Sequence, residues 1–274
     1  MKTIKSKGRE LPLTAPMVMG ILNATPDSFY NKGRDSRVSD MLRNAEAMLQ
    51  QGATILDVGG ASTRPGQPLI EPSEELRRVI PAITAIRERF PDVWLSVDTY
   101  NAATARAAVQ AGADIVNDIS AGAFDADMLA TVAAIHVPYI AMHIQGTPAT
   151  MQQDPRYNDV VAEVHSYLRY KVDECMAAGI ADVIVDPGFG FGKTVEHNFA
   201  LLRELGTLRE LNKPILAGLS RKSMICKPLR VNPEHALNGT TALNMVALLN
   251  GADILRVHDV KEAMEVIRLY GHLK

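Results

Sequence analysis

Cysteine is nearly absent. Cys175 and Cys226 are the two in 274 residues, too few and too isolated for a disulfide framework. Neither has motif company, so both are read as ordinary residues, and a reducing cytoplasm is the expected location. No apolar run approaches the ~20 residues of a membrane span, and the N-terminus lacks the hydrophobic core of a signal peptide. An excess of one charge is also missing. The 29 Lys and Arg against 31 Asp and Glu give a net charge of −2, and no basic stripe is present to track a nucleic-acid backbone. Membrane and nucleic-acid partners are therefore not expected. What the chain does have is apolar matter: 47% hydrophobic and 22% charged residues, enough for a sizeable core and against disorder.

One phrase recurs. Gly52-Ala53-Thr54-Ile55-Leu56-Asp57 is echoed at Gly112–Asn117, at Gly179–Asp186 and at Gly251–Arg256. Each copy follows an amphipathic helical pattern, so each Gly suits the residue just past a helix end. Each leads into a short apolar strand that closes on a polar residue. The spacings of 60, 67 and 72 residues leave room for two strand–helix units per repeat. The intervening strands enter after Pro16, Pro91, Pro138 and Pro214, and proline suits the first residue of a strand. The pattern predicts strands near 17–22, 55–59, 93–97, 115–117, 139–142, 183–185, 215–217 and 254–257. Helices are expected near 36–51, 73–89, 101–111, 125–135, 158–178, 195–211, 236–250 and 259–270. Eight alternating units with strands apolar on both faces make an α/β chain, a (β/α)8 TIM barrel in a single domain over 1–274, with its core at about 17–270. A doubly wound open sheet is the alternative; the repeat count and the lack of a Gly-rich turn after the first strand favour the barrel.

A barrel gathers its chemistry where strands end. Asn23, Asp57, Asp98, Asn117, His143, Asp186, Lys222, Arg256 and His258 then share one mouth. Val183-Ile184-Val185 runs into Asp186, after which Pro187 and three glycines interrupt regular structure up to Lys193, and Thr194 can cap the next helix. Two further loops are long: Asn23 to Gly33, and Gly59 to Gly66, where Arg64 offers a planar donor fork suited to an anion. The cluster Gly218–Ser223 follows the seventh strand. Arg256 and His258, two apart on the eighth, face the same way, where barrels often hold a phosphate.

Together, Asn23 through Phe29, Gly59-Gly60-x-Ser62-Thr63-Arg64-Pro65-Gly66, Ser96-Val97-Asp98-Thr99, Asp186 through Lys193, Ser220-Arg221-Lys222-Ser223 and Arg256-Val257-His258-Asp259-Val260 resemble the dihydropteroate synthases of folate biosynthesis. The resemblance runs from about residue 17 to 270. It implies condensation of a dihydropterin methyl diphosphate with 4-aminobenzoate, releasing diphosphate, with small molecules as the partners. Carried over residue by residue, it implies that Asp186 accepts from the ring N–H and exocyclic amine, and that Asn117 and Asp98 read other polar edges. Lys222 would reach the carbonyl side, and Phe191 and Met142 would wall the pocket, with Gly218 among the substrate contacts. Thr63, Arg64 and Pro65, with Phe29, belong to loops that shape the aminobenzoate pocket. Ser223 would meet that substrate's carboxylate. Arg256 and His258 would clamp the diphosphate, and Mg2+, held by Asn23 and the diphosphate, would neutralise the leaving group.

Two departures stand out. Family members often carry an acid where this chain has Ala61, and often continue Ser-Asp-Gly-Gly where it has Tyr30-Asn31-Lys32-Gly33. A methyltetrahydrofolate methyltransferase-like barrel would share the ring-reading carboxylate and amide but would leave the Ser-Thr-Arg-Pro loop and the Arg256/His258 pair without a task. A non-catalytic pterin-binding protein would have no use for the full polar set. The stretch 236–250 is apolar almost all round, so a second covered face, and hence a homodimer, is expected.

Overall fold

The computed structural model describes residues 2–24 and 34–273, the side chains of 34–37 excepted. The chain opens with a small antiparallel hairpin, β1 (Thr3–Ser6) and β2 (Arg9–Pro12). The alternating series follows: β3 (Met17–Asn23), α1 (Arg34–Gln51), β4 (Ile55–Gly59), α2 (Pro72–Arg89), β5 (Trp94–Asp98), α3 (Ala102–Ala111), β6 (Ile115–Asp118) and α4 (Met128–Ile135). It continues through β7 (Tyr139–Met142), α5 (Val160–Ala177), β8 (Val183–Asp186), α6 (Val195–Arg203), β9 (Leu216–Ala217), α7 (Ser223–Leu229), α8 (Leu237–Leu249), β10 (Ile254–Val257) and α9 (Val260–Gly271).

The large sheet is parallel throughout, in the order β8-β7-β6-β5-β4-β3-β10-β9. A bridge from Val185 to Ile215 brings its two ends together, so the sheet is a nearly closed barrel. The repeated glycines do what their position demands. Gly52, Gly112, Gly179 and Gly251 all have positive φ, between 95° and 126°, which turns the chain from a helix end into the next strand. Thr194 caps α6 as expected, its hydroxyl accepting from the His197 amide at 3.1 Å.

The barrel is filled, not hollow. At the N-terminal ends of the strands, Met19, Ile55, Trp94, Ile115, Ile184 and Ile254 pack into one buried layer. The hairpin covers this floor. Ile4, 1% exposed, inserts into it, Arg9 lies over the Trp94 ring at 4.8 Å, and Lys7 donates to the carbonyls of Val109 and Ala113 at 2.6 and 2.8 Å. One end of the barrel is thus plugged by apolar side chains, and chemistry is confined to the other.

Three details differ from the sequence reading. The hairpin was not foreseen: its turn is Lys7-Gly8, both at positive φ (51° and 76°), and a lysine in that conformation carries no hairpin signature. The helix expected over 195–211 ends at Arg203, and Leu205–Leu211 winds as a tighter 3-10 turn. A helix, α7, occupies Ser223–Leu229 where no span was assigned.

If the hairpin is a structural plug, Ile4→Ala should lower stability by about 2–5 kcal/mol, the usual range for emptying a buried aliphatic site. Urea unfolding measures it. A midpoint equal to that of the parent chain would mean that the hairpin is dispensable.

Candidate active site

At the opposite end, residues at or near the ends of five strands converge. Arg256, from β10, reaches across the mouth: Nε donates to Asp57 Oδ2 and an Nη to Asp98 Oδ2, both at 2.6 Å. Asn117 Nδ2 donates to the same Asp57 oxygen at 3.0 Å. Asp57 is fully buried, and its other oxygen has no partner among the described residues. Arg256 and Asp98 retain side-chain exposures of 17% and 13%, so the network opens into the mouth. Burial, and the repulsion of Asp57, push the Asp98 carboxyl up, to about 7, against the pull of Arg256. The guanidinium keeps its proton, its pKa raised by the two carboxylates against the cost of burial.

Asp186 ends β8, 4% exposed. One of its oxygens accepts from the Gly188 amide at 2.7 Å, and burial raises its pKa against the pull of Lys222. A Cβ on Gly218 would sit 3.8 Å from Arg256 Cβ, Asp186 Oδ2 and Lys222 Nζ alike, so the absent side chain leaves the space between these three groups free. Lys222 donates to the Phe189 carbonyl at 2.6 Å and stands 4.6 Å from the Phe191 ring centroid. Burial holds its ammonium down, to about 8, although Asp186 pulls the other way. Three carboxylates therefore face two cations, Arg256 and Lys222. Such a mouth has carboxylate acceptors to spare and suits a ligand with an N–H edge.

The walls are apolar. Met142, Phe191, Tyr100, Ile119, Ile144 and Met151 form a buried cluster separate from the main core, with Ala61 packed against it. Gly188, at φ 68°, allows the β8 loop to approach β7 closely: a Cβ there would meet the His143 carbonyl oxygen at 1.9 Å.

The remaining expected residues are less enclosed. Thr63 is half-buried, while Arg64 and Pro65 are exposed. Arg64 makes no side-chain hydrogen bond or ion pair among the described residues. Its loop is docked by the Gly66 amide on the Pro148 carbonyl (2.9 Å) and the Ile70 amide on Tyr100 Oη (2.8 Å). His258 is exposed at the rim, with Nδ1 3.0 Å from Ser220 Oγ. Protein crowded against the ring, and the Arg256 and Arg221 cations, hold it down to about 4, so it is neutral at pH 7. With the Ser220 hydroxyl donating to Nδ1, the Nε2–H is left as a donor. Arg256 and His258 thus have separate partners rather than standing as a free pair. Ser223 opens α7, half-buried. Asn23 ends β3, exposed. Phe29 and Asn31 lie outside the described residues.

Four supporting groups had no role in the sequence reading. Asp57 stood among the strand-end polar residues, yet nothing marked it as the partner of Arg256. Glu75, buried on α2, accepts from Thr99 Oγ1 and Asn101 Nδ2 at 2.7 and 2.8 Å and steadies the loop behind Asp98. Asp118 accepts from the Ser120 and Gly122 amides at 2.8 Å and from Tyr139 Oη at 2.6 Å. Lys193 lies buried under the β8 loop. Only Asp57, which closes a recurring phrase, carried a usable signal.

This arrangement matches proteins already characterised. A family model described as pterin binding enzyme matches residues 19–258. The dihydropteroate synthase of Escherichia coli K12 is 46% identical over 266 residues, 96% of this chain and 94% of the relative. A crystal structure of the Yersinia pestis dihydropteroate synthase with a sulfonamide drug complex superposes with a TM-score of 0.93 at 42% identity, covering 99% of both chains. The Xanthomonas albilineans dihydropteroate synthase in complex with 7,8-dihydropteroate gives a TM-score of 0.89 at 38% identity, over 99% of this chain and 98% of that one.

The two arginines of the mouth should behave oppositely in the ligand-free protein. Arg256→Ala strands two enclosed carboxylates and should cost about 3–5 kcal/mol. Arg64→Ala should stay within about 0.5 kcal/mol of the parent. Denaturant unfolding of both variants decides; equal midpoints would remove the Asp57–Arg256–Asp98 network from any structural role.

Proposed function

The chain belongs to the pterin-binding enzyme family, and from that premise we propose that it acts as a dihydropteroate synthase, joining (7,8-dihydropterin-6-yl)methyl diphosphate to 4-aminobenzoate. The observation that carries the reading is the enclosed, acceptor-rich mouth, where Asp186, Asn117, Asp98 and Lys222 stand at the strand ends beside the apolar cluster that holds Met142 and Phe191. A pterin offers an N–H beside an exocyclic amine, a parallel donor pair that Asp186 is placed to accept. Asn117 and Asp98 take further polar edges, and Lys222, donor only, takes the ring carbonyl. Gly218 leaves the room that the ring needs.

The reaction breaks the methylene C–O bond and forms a C–N bond. Electron density from the reduced ring expels diphosphate, which leaves with the bonding pair, and the cation that remains is attacked by the amine of 4-aminobenzoate. An aromatic amine is already neutral at pH 7, so no strong base is required, and the amine's proton is lost after attack. Catalysis falls on the leaving group. His258 Nε2–H and Arg256 would hold its oxygens, and preorganised donors of this kind are usually the largest catalytic contribution. Thr63, Arg64 and Pro65 would shape the aminobenzoate pocket, and Ser223, at the start of α7, would meet its carboxylate.

For Mg2+, the described residues hold no group of three His, Cys, Asp or Glu that could cage an ion. The exposed Asn23 amide oxygen is a hard ligand that makes no hydrogen bond among the described residues. That fits an ion bound chiefly through substrate phosphates, as Mg2+ commonly is. When bound there it would neutralise charge on the departing diphosphate.

A homodimer is also proposed. α8 leaves Leu249 53% exposed and α9 leaves Leu269 62% exposed, apolar surface that a second copy would cover. No helix among the described residues is long and apolar enough to cross a membrane. Cys175 and Cys226 are free thiols, in keeping with work in a reducing cytoplasm.

Asp186→Asn turns an acceptor into a donor facing a donor. The loss of a charge-assisted bond should weaken pterin binding by about 1.5–3 kcal/mol or more. Calorimetry with a plain pterin reads it, and unchanged affinity in a folded variant would sink the assignment.

Lys222 gives a pH signature. Its pKa is lowered to about 8 from an ordinary 10.5, so the empty site sheds the proton as pH rises through 8. A ring carbonyl favours the ammonium, so binding above pH 8 must first restore that proton. Affinity should then fall by up to about tenfold per pH unit. Any titration of the pterin itself is common to Lys222→Met, so the wild-type slope should exceed the variant's by nearly one logarithmic unit per pH unit. Equal slopes would take Lys222 off the ring.

A further inference from the structure

The loop after β8 is held by side chains more than by its own backbone. Every carbonyl from Gly188 to Gly192 accepts from a side-chain donor. Lys193 Nζ serves Gly188 and Phe191 at 2.9 and 3.0 Å. Lys222 serves Phe189 at 2.6 Å, Gln152 Nε2 serves Gly190 at 2.6 Å, and Tyr157 Oη serves Gly192 at 2.8 Å. Lys193 alone takes two carbonyls, and it also reaches outside the loop, to His143 Nδ1 at 2.8 Å and the His143 carbonyl at 3.3 Å.

Its side chain is 1% exposed. Burial, and Lys193 in its ammonium form, hold the His143 imidazole down, to about 2, so the ring is neutral and its Nδ1 can accept; burial also pushes the Lys193 ammonium well down, against the pull of Asp186. Four acceptors thus surround one amine whose ammonium form has three protons. His143 directly follows Met142, the last residue of β7, and Phe191 sits two residues before Lys193. One backbone bond, the His143 amide on the Asp186 carbonyl at 3.1 Å, joins the two strand ends; beyond it, where Gly188 permits the close approach, Lys193 joins His143 to the carbonyls of Gly188 and Phe191.

We infer that Lys193 is a positioning residue for the pterin slot: by tying the end of β7 to the loop after β8 from behind, it fixes the separation of the Met142 and Phe191 walls. The inference rests on the pterin reading of the mouth given above. It assigns a task to a motif residue that touches neither substrate nor reacting atoms, and it separates the pterin slot from the aminobenzoate pocket, whose loops Lys193 does not hold.

Lys193→Met keeps the aliphatic stem and removes the donors. Its dissociation constant for a plain pterin and its KM for the pterin diphosphate should each rise tenfold or more. Its KM for 4-aminobenzoate, at saturating pterin diphosphate, should stay within twofold of wild type. Lys193→Gln restores two donors on a shorter arm and should recover part of the lost pterin affinity. A role in stability alone would lower the yield and the unfolding temperature while leaving the pterin constants of the folded fraction unchanged, and that outcome overturns the inference. If Lys193→Met does not fold, Lys193→Gln decides: its shorter arm with two donors cannot serve both loops and should raise the pterin constant about threefold over wild type, whereas an unchanged constant overturns the inference. Wild-type protein titrated with the same pterin is the control. Absence of binding there would reject the pterin reading itself, while binding that both variants share at wild-type strength would reject only the role of Lys193.

Discussion

The reach of Arg256 across the mouth to Asp57 and Asp98 organises everything near it. The three groups come from β10, β4 and β5, so the contact ties the last strand of the barrel to two strands from the first half of the chain. In so enclosed a place neither sign of charge is tolerable alone, since removing one partner leaves the other desolvated and unpaired. The network also sets the character of the mouth. Asp57 and Asp98 share one guanidinium and Asp186 stands near Lys222, so carboxyl groups outnumber cations, and burial with the repulsion of Asp57 pushes Asp98 up to about 7. The carboxyl side of this mouth therefore favours ligands with N–H donors.

Much of the barrel could be read from the chain because its determinants are local. A glycine that must take positive φ, a run of apolar residues and a polar strand end are all visible within ten residues, and Gly52, Gly112, Gly179 and Gly251 adopt the conformation that their place in the repeat requires. The strand-end rule collected Asp57, Asp98, Asn117, Asp186, Lys222 and Arg256, which the structure brings together, without any knowledge of which touch; His143, from the same rule, lies buried against Lys193 instead. Partner choice was not legible. That Arg256 would meet Asp57, 199 residues away, depends on barrel closure and rotamers, which no local pattern encodes. Lys193 was quoted only as the end of a glycine-rich motif, because its acceptor on His143 is 50 residues distant. The hairpin was missed for another reason: β1 and β2 are four residues each, their turn is unfavourable for lysine, and their stability comes from the barrel floor rather than from the strands themselves.

Ala61 shows how a departure from family habit can be absorbed. It packs against the cluster that contains Met142 and Phe191. An acid at that position would add another carboxylate to a mouth that already has an excess, beside apolar side chains that could not solvate it. The methyl group instead extends the apolar cluster, and the polar set of Asp98, Asn117, Asp186 and Lys222 stands without it. The division of labour between apolar walls and polar strand ends is thus preserved while one charge is removed.

The ligand-free mouth is already hydrogen-bonded to itself, and this shapes what binding can achieve. Lys222 is engaged with the Phe189 carbonyl, Asn117 with Asp57, and Asp98 with Arg256. A ring that enters does not create bonds on bare groups; it exchanges some of these for its own, so the net gain per bond is modest, about 0.5–1.5 kcal/mol for a neutral pair. A ring with the wrong edge fares far worse. It would displace the internal partners and then leave enclosed carboxylates facing acceptors, and unpaired polar groups in such a place cost more than the correct bonds return. Discrimination against the wrong heterocycle is therefore stronger than affinity for the right one. The same exchange has a consequence for the anion end. A pterin edge that takes over Asp98 loosens the hold on the Arg256 Nη that Asp98 occupied, while Nε stays on Asp57. The guanidinium then remains anchored with part of its fork released toward the rim where His258 stands. On the proposed roles, ring recognition and anion recognition would share one side chain, and the two halves of a pterin diphosphate would be read together rather than one after the other.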